Sequence, residues 1–264
     1  MPHRSFWGRL RLILLILLLL IVSLNSFLSR VRSTDWQDSL WLVVYPINAD
    51  QRADTQLYID ALQEDHFDDI EQFLSREAQR YGVTVEDPIR VFLAPEISEQ
   101  PPLPQREISI LQSVIWSLKL RFWAWQNDSW QEDIAPDIKI YLRLFSPHNR
   151  QVLEHSLGLQ KGMIGVVNGF ASVDYQAQNN FVTVHEIMHT LGASDKYEVG
   201  NNQPIWPEGY ADPYQKPVLP QYRAEVMGGR VPQSKGFSLI PESLEQVVVG
   251  PKTAQEVNWI QPEG

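Results

Sequence analysis

The sequence predicts an α/β (α+β) fold, in which a mixed twisted sheet packs against helices and a small irregular part follows at the carboxyl end. Short β-branched apolar runs alternate with longer segments of helical period up to residue 192, as in mixed α/β domains. Five prolines between residues 204 and 220 then argue against regular helix or central strand. With 264 residues and 44% hydrophobic side chains, the chain can bury the core of one such domain.

The first part of the domain predicts strand, helix and strand in turn. Residues 40–47 are apolar and rich in β-branched side chains, as a buried strand requires. Residues 54–81 repeat apolar side chains near the helical period, so we expect helix there, with a break around Asp65 and an end at Gly82. Residues 89–94 predict the second strand.

A long apolar helix is predicted over residues 107–126. Its apolar side chains are so numerous that we expect much of the helix to be covered: Ile110, Leu111, Val114, Ile115, Leu118, Phe122 and Trp125. Trp116, Trp123, Trp125 and Trp130 lie on or near it. We interpret these tryptophans as core, and the alternative is a binding platform or a membrane-facing surface.

Two further strands precede the next helix. Residues 137–145 alternate in hydrophobicity as a half-buried strand does, and residues 162–169 form a short apolar run bordered by glycines. We expect Asn179 or Asn180 to cap the helix that follows. Its apolar side chains share one arc of the helical wheel, which indicates a buried face: Phe181, Val184, Ile187, Met188 and Leu191.

The amino-terminal segment predicts a membrane helix. Residues 12–22 are unbroken aliphatic sequence, and the apolar character continues to residue 28, which is long enough to span a bilayer. Arg4, Arg9 and Arg11 precede it, so the positive-inside rule places the amino terminus in the cytoplasm. We interpret residues 1–35 as an uncleaved signal-anchor and linker, with a cleaved signal peptide as the alternative. Residues 36–264 are then an extracytoplasmic domain on the cell membrane, or a secreted one if the segment is removed.

Charge and cysteine content exclude several classes of function. Of the 22 basic side chains, five are arginines within residues 1–32, a stretch without acids; the other 17 face 32 acids, which gives the rest of the chain a net charge of −15. Such a domain is repelled by nucleic acid and by anionic lipid headgroups, so we expect no nucleic-acid partner. The chain has no cysteine, which excludes thiol nucleophiles, disulfides and thiolate metal sites.

The stretch HEIMHTLGASD, residues 185–195, places metal-ligating side chains at helical spacing. His185 and His189 are four residues apart and therefore lie on one face of a helix, where both imidazoles can reach one ion. Glu186 is about 100° further round, in position to act as a base on water at that ion. Gly192 can take a positive φ and end the helix, and Asp195 follows as a candidate third ligand.

This spacing, H-E-x-x-H-x-x-G-x-x-D, resembles the metzincin signature of zinc peptidases, with Asp195 where those families usually have a third histidine, as in snapalysin-like peptidases. Residues 225–230, EVMGGR, look like the metzincin Met-turn, with Met227 as its methionine. Some families have a tyrosine two residues after that methionine, where this chain has Gly229. A tyrosine that stabilises the transition state must then come from elsewhere.

The resemblance implies a zincin-like fold, with an upper subdomain over residues 36–192 and a lower one over residues 193–264. It also implies that the strand before the metal helix borders the cleft, where a peptide can pair with it. The expected function is a membrane-anchored, zinc-dependent endopeptidase. Zn²⁺ is held by His185, His189 and Asp195, and Glu186 is the general base.

Two alternatives stay open. The first is an inactive, zinc-containing, membrane-anchored binding protein, in which a fourth protein ligand closes the open metal position; the candidates are His148, His155 and Glu198. The second draws the third ligand from a later helix, since Glu208 and Asp212 have a suitable spacing. Pro207, Gly209 and Pro213 make a helix there improbable, which favours Asp195.

Overall fold

The computed structural model describes residues 8, 10–14, 16–17, 34–104, 109–132, 134–148, 153, 156–159 and 163–260. Within these ranges the helices are α1 (Ala53–Asp60), α2 (Asp68–Arg80), α3 (Ile110–Gln126), α4 (Gln176–Leu191) and α5 (Pro251–Glu256). The longer strands are β1 (Leu40–Asn48), β2 (Ile89–Leu93), β3 (Ile138–Phe145), β4 (Leu157–Leu159) and β5 (Ile164–Phe170). The later strands are β6 (Tyr197–Glu198), β7 (Gln203–Pro204), β8 (Ala224–Glu225), β9 (Val231–Ser234), β10 (Phe237–Leu239) and β11 (Val247–Val248).

Most of the predicted signal-anchor, residues 1–35, lies outside the described part of the chain. Residues 10–14 and 16–17 are helical. Among all described residues, no helix is both long and apolar enough to cross a membrane.

The first five strands form one mixed sheet in the order β2-β1-β3-β5-β4. The strands β2, β1, β3 and β5 are parallel to one another, and β4 pairs with β5 in the antiparallel direction. The predicted mixed sheet is therefore confirmed. The expectation that residues 162–169 border the cleft is wrong, because β5 lies between β3 and β4 and the short strand β4 takes the sheet edge.

Successive side chains of a strand point to opposite faces of the sheet. Both faces of this sheet carry apolar side chains, and helices cover both. Val43, Tyr45 and Ile47 of β1 point to the face on which α3 packs. Leu42 and Val44 point to the other face, which is covered by α2 and α4. The predicted break in the first helical segment is confirmed, since a 3₁₀ turn, Glu64–Phe67, separates α1 from α2.

Helix α3 buries only one of its sides. Leu120 and Ala124 are buried against the sheet, and the tryptophans at 116, 123 and 130 are partly buried around them, as predicted. The prediction that Trp125 is also core is wrong, because its side chain is exposed. The expectation that much of the helix is covered is wrong. Its opposite side is exposed and carries Leu111, Val114, Ile115, Leu118, Phe122 and Trp125.

Helix α4 is buried almost all round. Its predicted apolar arc lies in the core, and the polar Thr183 and Thr190 are buried as well. The predicted cap is wrong, because the helix begins at Gln176 and both asparagines lie within it. Asn179 instead accepts a hydrogen bond from the backbone N–H of Phe170 and donates one to its carbonyl, which ties α4 to the end of β5.

The carboxyl-terminal part packs onto the same core as the sheet. Its buried residues belong to the hydrophobic cluster that also contains α2 and α4: Ala224, Val226, Met227, Val247, Ala254, Val257 and Trp259. Trp259 meets the Trp36 ring edge-on at 5.9 Å, and the Trp36 indole N–H donates to the carbonyl of Val257. The last described residues of the domain are thereby fixed against Trp36, which precedes β1.

Candidate metal centre

His185 and His189 lie together on one face of α4, as their spacing predicts. Their ring centroids are 4.8 Å apart and the rings are nearly perpendicular. The helix ends at Gly192, which takes φ = 115° and lets the chain turn back. This turn brings Asp195 Oδ1 to 3.2 Å from His185 Nε2 and 3.1 Å from His189 Nε2.

Backbone carbonyls fix the tautomer of both imidazoles. His185 Nδ1 lies 2.8 Å from the carbonyl oxygen of Val226, and His189 Nδ1 lies 2.9 Å from that of Ala193. A carbonyl can only accept a hydrogen bond, so each Nδ1 must carry the proton that it donates. A neutral imidazole then has its lone pair on Nε2, the nitrogen that faces Asp195.

Three lone-pair donors thus converge on one point. When both imidazoles are neutral, their Nε2 atoms and the carboxylate oxygen have no proton to share, and a cation between them removes the repulsion. Burial lowers the pKa of His185, but the hydrogen bond to Asp195 and the nearby charges raise it overall, so that a proton on His185 takes this place when no cation is bound. The ligating atoms of His185, His189 and Asp195 all lie within 4.8 Å of one another, so the group could hold a metal ion. Two imidazoles and one carboxylate are also a donor set that zinc accepts in catalytic sites.

Glu186 lies beside the metal-ligating group. Its side chain is almost completely buried, and its Oε2 has no hydrogen-bond partner among the described residues. Burial raises the pKa of the Glu186 carboxyl above its usual value, while the two histidines act in the opposite direction. A buried carboxyl with an unengaged oxygen beside a metal-ligand group suits a base that exchanges protons during a reaction.

The predicted Met-turn contacts this group through the Val226 carbonyl and is organised by Glu225. Met227 is fully buried, and the carbonyl of its neighbour Val226 is the one that orients His185. The Glu225 carboxylate accepts hydrogen bonds from the backbone N–H groups of Met227 and Gly228, at 2.7 and 2.8 Å. It also accepts from the Gly250 N–H and the Thr253 hydroxyl, so it joins the turn to α5.

The loop that carries Asp195 is held on both sides by one carboxylate. Glu256, at the end of α5, accepts hydrogen bonds from the Ser194 N–H at 3.0 Å and the Ser194 hydroxyl at 2.9 Å. Its Oε2 also lies 2.7 Å from Nζ of the buried Lys196. Because Ser194 and Lys196 flank Asp195, Glu256 restricts where the Asp195 carboxylate can lie.

Tyr197 is a site residue to which the sequence reasoning assigned no role. Its ring centroid lies 6.2 Å from that of His185. Burial, followed by the charge and hydrogen bonding of Asp195, raises the pKa of the Tyr197 phenol above its usual value. A Cβ built on Gly229 would lie 3.8 Å from the Tyr197 ring, so this ring fills the space beside the residue two positions after Met227. The sequence feature that could have indicated a role for Tyr197 is its position two residues after Asp195.

The edge strand β4 lies directly against α4, the helix that carries His185 and His189. A Cβ built on Gly158 would lie 2.5 Å from His189 Cβ and 3.0 Å from Glu186 Oε2, so only glycine fits there. No sequence pattern marked Gly158, because this approach depends on how β4 pairs with β5. The sheet edge and the metal-ligating group therefore adjoin each other.

The other candidate ligands do not join the group. Residues 208–212 are not helical, and Asp212 pairs with Arg223 at 3.1 Å. Among the described residues, the cluster that could hold a metal consists of the two histidines and Asp195 alone. Glu198 instead accepts a hydrogen bond from the Asn201 amide, and His148 is not part of the cluster. His155 lies outside the described residues.

Comparison with known proteins gives no family assignment. No protein-family model matches the chain, and no curated protein is significantly similar to it in sequence.

Proposed function

We propose that the chain is a zinc-dependent peptidase that resembles the metzincins and takes Asp195 as its third metal ligand. The observation that carries this proposal is the convergence of His185 Nε2, His189 Nε2 and Asp195 Oδ1, with Glu186 next to them. Three protein ligands leave a fourth position open, as catalytic zinc sites do and structural zinc sites do not.

Each site residue has a defined part in peptide hydrolysis. Zinc bound by the three ligands would polarise the scissile carbonyl and lower the pKa of the attacking water. Glu186 accepts the proton of that water and later passes it to the leaving amine, for which its raised pKa is well suited. Val226 and Ala193 keep the histidines in the ligating tautomer throughout.

Tyr197 is the candidate for stabilising the oxyanion. Its phenol lies beside Asp195 and His185, on the edge of the metal-ligating group. A phenol is protonated at neutral pH, and the Tyr197 hydroxyl, which hydrogen-bonds to Asp195 here, would turn to donate to the oxygen that becomes negative. It takes the role that a Met-turn tyrosine has in some metzincins.

The substrate is an extended peptide that pairs with β4. An edge strand recognises main-chain atoms, and β4 is the sheet edge nearest the metal helix. A peptide paired in this way would have one of its peptide bonds at the metal-ligating group. It also supports an endopeptidase, since an edge strand lets the chain continue in both directions.

The catalytic domain is proposed to act outside the cytoplasm, anchored in the cell membrane by residues 10–28. The basis is the sequence alone, namely an aliphatic segment preceded by arginines.

Digestion of casein and of a peptide library by the full chain tests this function. We expect cleavage that stops when zinc is removed by a chelator and returns when zinc is added back. The metal content should be measured on the same samples. Bound zinc without cleavage of any peptide would instead favour an inactive zinc-containing binding protein.

A further inference from the structure

The outer side of α3 carries an apolar stripe, which we define as Leu111, Val114, Ile115, Leu118, Phe122 and Trp125. These side chains are between 45% and 73% exposed. At about 100° per residue they share one arc of the helix, opposite the arc by which Leu120 and Ala124 pack on the sheet. Contiguous exposed apolar surface of this kind marks an interaction site in most soluble domains.

The charges around the stripe favour a lipid surface. Lys119 lies roughly 90° from the centre of the stripe on one flank, and Arg121 roughly 70° from it on the other. Residues 108–127 contain no acid, although the chain outside residues 1–32 is strongly acidic. An apolar helix face flanked by basic side chains is typical of helices that lie in the headgroup region of a bilayer.

The stripe is also close to the point where the apolar amino-terminal segment joins the domain. Only 11 residues, 29–39, lie between residue 28 and Leu40, the first residue of β1, and an extended chain of that length spans at most about 40 Å. Because α3 connects the parallel strands β2 and β3, its carboxyl end lies toward the end of the sheet at which β1 and β3 begin. At that end Asp137, the residue before β3, accepts a hydrogen bond from the N–H of Trp41, the second residue of β1.

We propose that the stripe is a second membrane contact, in which α3 lies flat in the headgroup region of the bilayer that holds residues 10–28. The inference rests on the proposed anchoring and is independent of the proposed hydrolysis. Trp125 and Phe122 provide aromatic side chains that suit the interface between lipid and water. The metal-ligating group is on α4, which covers the other face of the sheet, so this orientation turns the site away from the bilayer.

Site-directed spin labelling tests this contact without a background signal, because the chain has no cysteine. Leu118→Cys places the label in the stripe, Val199→Cys places it on an exposed loop, and Leu17→Cys reports the anchor. The full-length protein is reconstituted in vesicles of phosphatidylcholine with and without phosphatidylglycerol. Collision with membrane-soluble oxygen is then compared with collision with a water-soluble nickel complex.

We expect labels 118 and 17 to collide more with oxygen and label 199 more with nickel. Adding phosphatidylglycerol to the vesicles should move the label at position 118 deeper into the bilayer. The substitution Lys119→Glu should cancel that change in depth. If the label at 118 is exposed to water and the label at 17 to lipid, the inference about the stripe is overturned and the proposed anchoring stands. Aqueous labels at both positions overturn the anchoring with it. Dipolar broadening at 118 that grows with protein density overturns it in favour of a second copy of the chain.

Discussion

Asp195 is the residue that decides how the metal site is completed. Its carboxylate oxygen lies within 3.2 Å of both ligating nitrogens, whereas Glu208 lies in an irregular segment outside the group. We expect Asp195→Ala to remove zinc and activity, and Asp195→His to recover part of both, since an imidazole is an alternative ligand. Glu208→Ala is the matched control and should bind zinc normally. Zinc lost from the control and kept by Asp195→Ala would refute the assignment.

Tyr197→Phe tests whether the phenol acts on the transition state. The ring is kept, so packing against His185 is unchanged, while the hydroxyl and its hydrogen bond with Asp195 are lost. We expect zinc content and KM close to those of the unmodified protein and kcat lower by roughly 100-fold, as for the loss of one oxyanion donor. Tyr222→Phe alters an exposed tyrosine and serves as control. Unchanged kcat in Tyr197→Phe would leave Tyr197 without a catalytic part.

The residues of the site differ in how far the sequence could predict them. The spacing of His185, Glu186 and His189 follows from helical geometry, and the turn at Gly192 follows from the conformational freedom of glycine, so these were predictable. Gly158 and Glu256 were not, because they reach the site from distant elements. Local patterns do not show which strand becomes the sheet edge or where the last helix docks.

At the scale of elements, we expect α5 to stabilise the loop that carries Asp195, through its residue Glu256. In Glu256→Gln the buried Lys196 loses its ion-pair partner but keeps its hydrogen bond to the Ser194 carbonyl, and the two hydrogen bonds from Ser194 lose their charged acceptor. Changes in groups that orient metal ligands typically weaken metal binding by about 10–100-fold, and we expect that range here.

Competition of the Glu256→Gln variant with a zinc chelator, followed by circular dichroism, measures the affinity and verifies the fold. Glu245→Gln changes an exposed acid close in sequence and is the control. If Glu256→Gln binds zinc as the unmodified protein does, then α5 has no part in positioning Asp195.

The two long helices of apolar sequence show why composition alone misleads. Both α3 and α4 are rich in apolar residues; we expected much of α3 to be covered, and only one face of α4 to be buried. Helix α4 is enclosed between the sheet and the carboxyl-terminal part, whereas α3 has the sheet on one side only. Which elements cover a helix depends on the order of the strands and on the docking of later segments, and periodicity does not contain that information.

For the molecule as a whole, the order of strands and helices was predictable and their assembly was not. Apolar period separates strands from helices, so β1, β2, β3 and β5 were each anticipated. The three-residue strand β4 was not anticipated, because three residues are too few to show a period.

The predicted topology can be tested on whole cells. If residues 10–28 anchor the chain with its amino terminus in the cytoplasm, protease added to intact spheroplasts of an expressing bacterium should digest residues 33–264. A cytoplasmic protein followed in the same samples controls for lysis. Protection of residues 33–264 until the membrane is dissolved would place the domain on the cytoplasmic side.

The central claim is that this chain hydrolyses peptide bonds with zinc held by three protein ligands and Glu186 as the base. The most direct measurement compares Glu186→Gln with the unmodified protein for zinc content and peptide hydrolysis in parallel. We expect zinc near one per chain in both proteins and activity lower by roughly 100-fold or more in the variant, because a positioned base contributes at least that much. Loss of zinc from the variant, or nearly unchanged hydrolysis, would contradict the role assigned to Glu186 and with it the proposed mechanism.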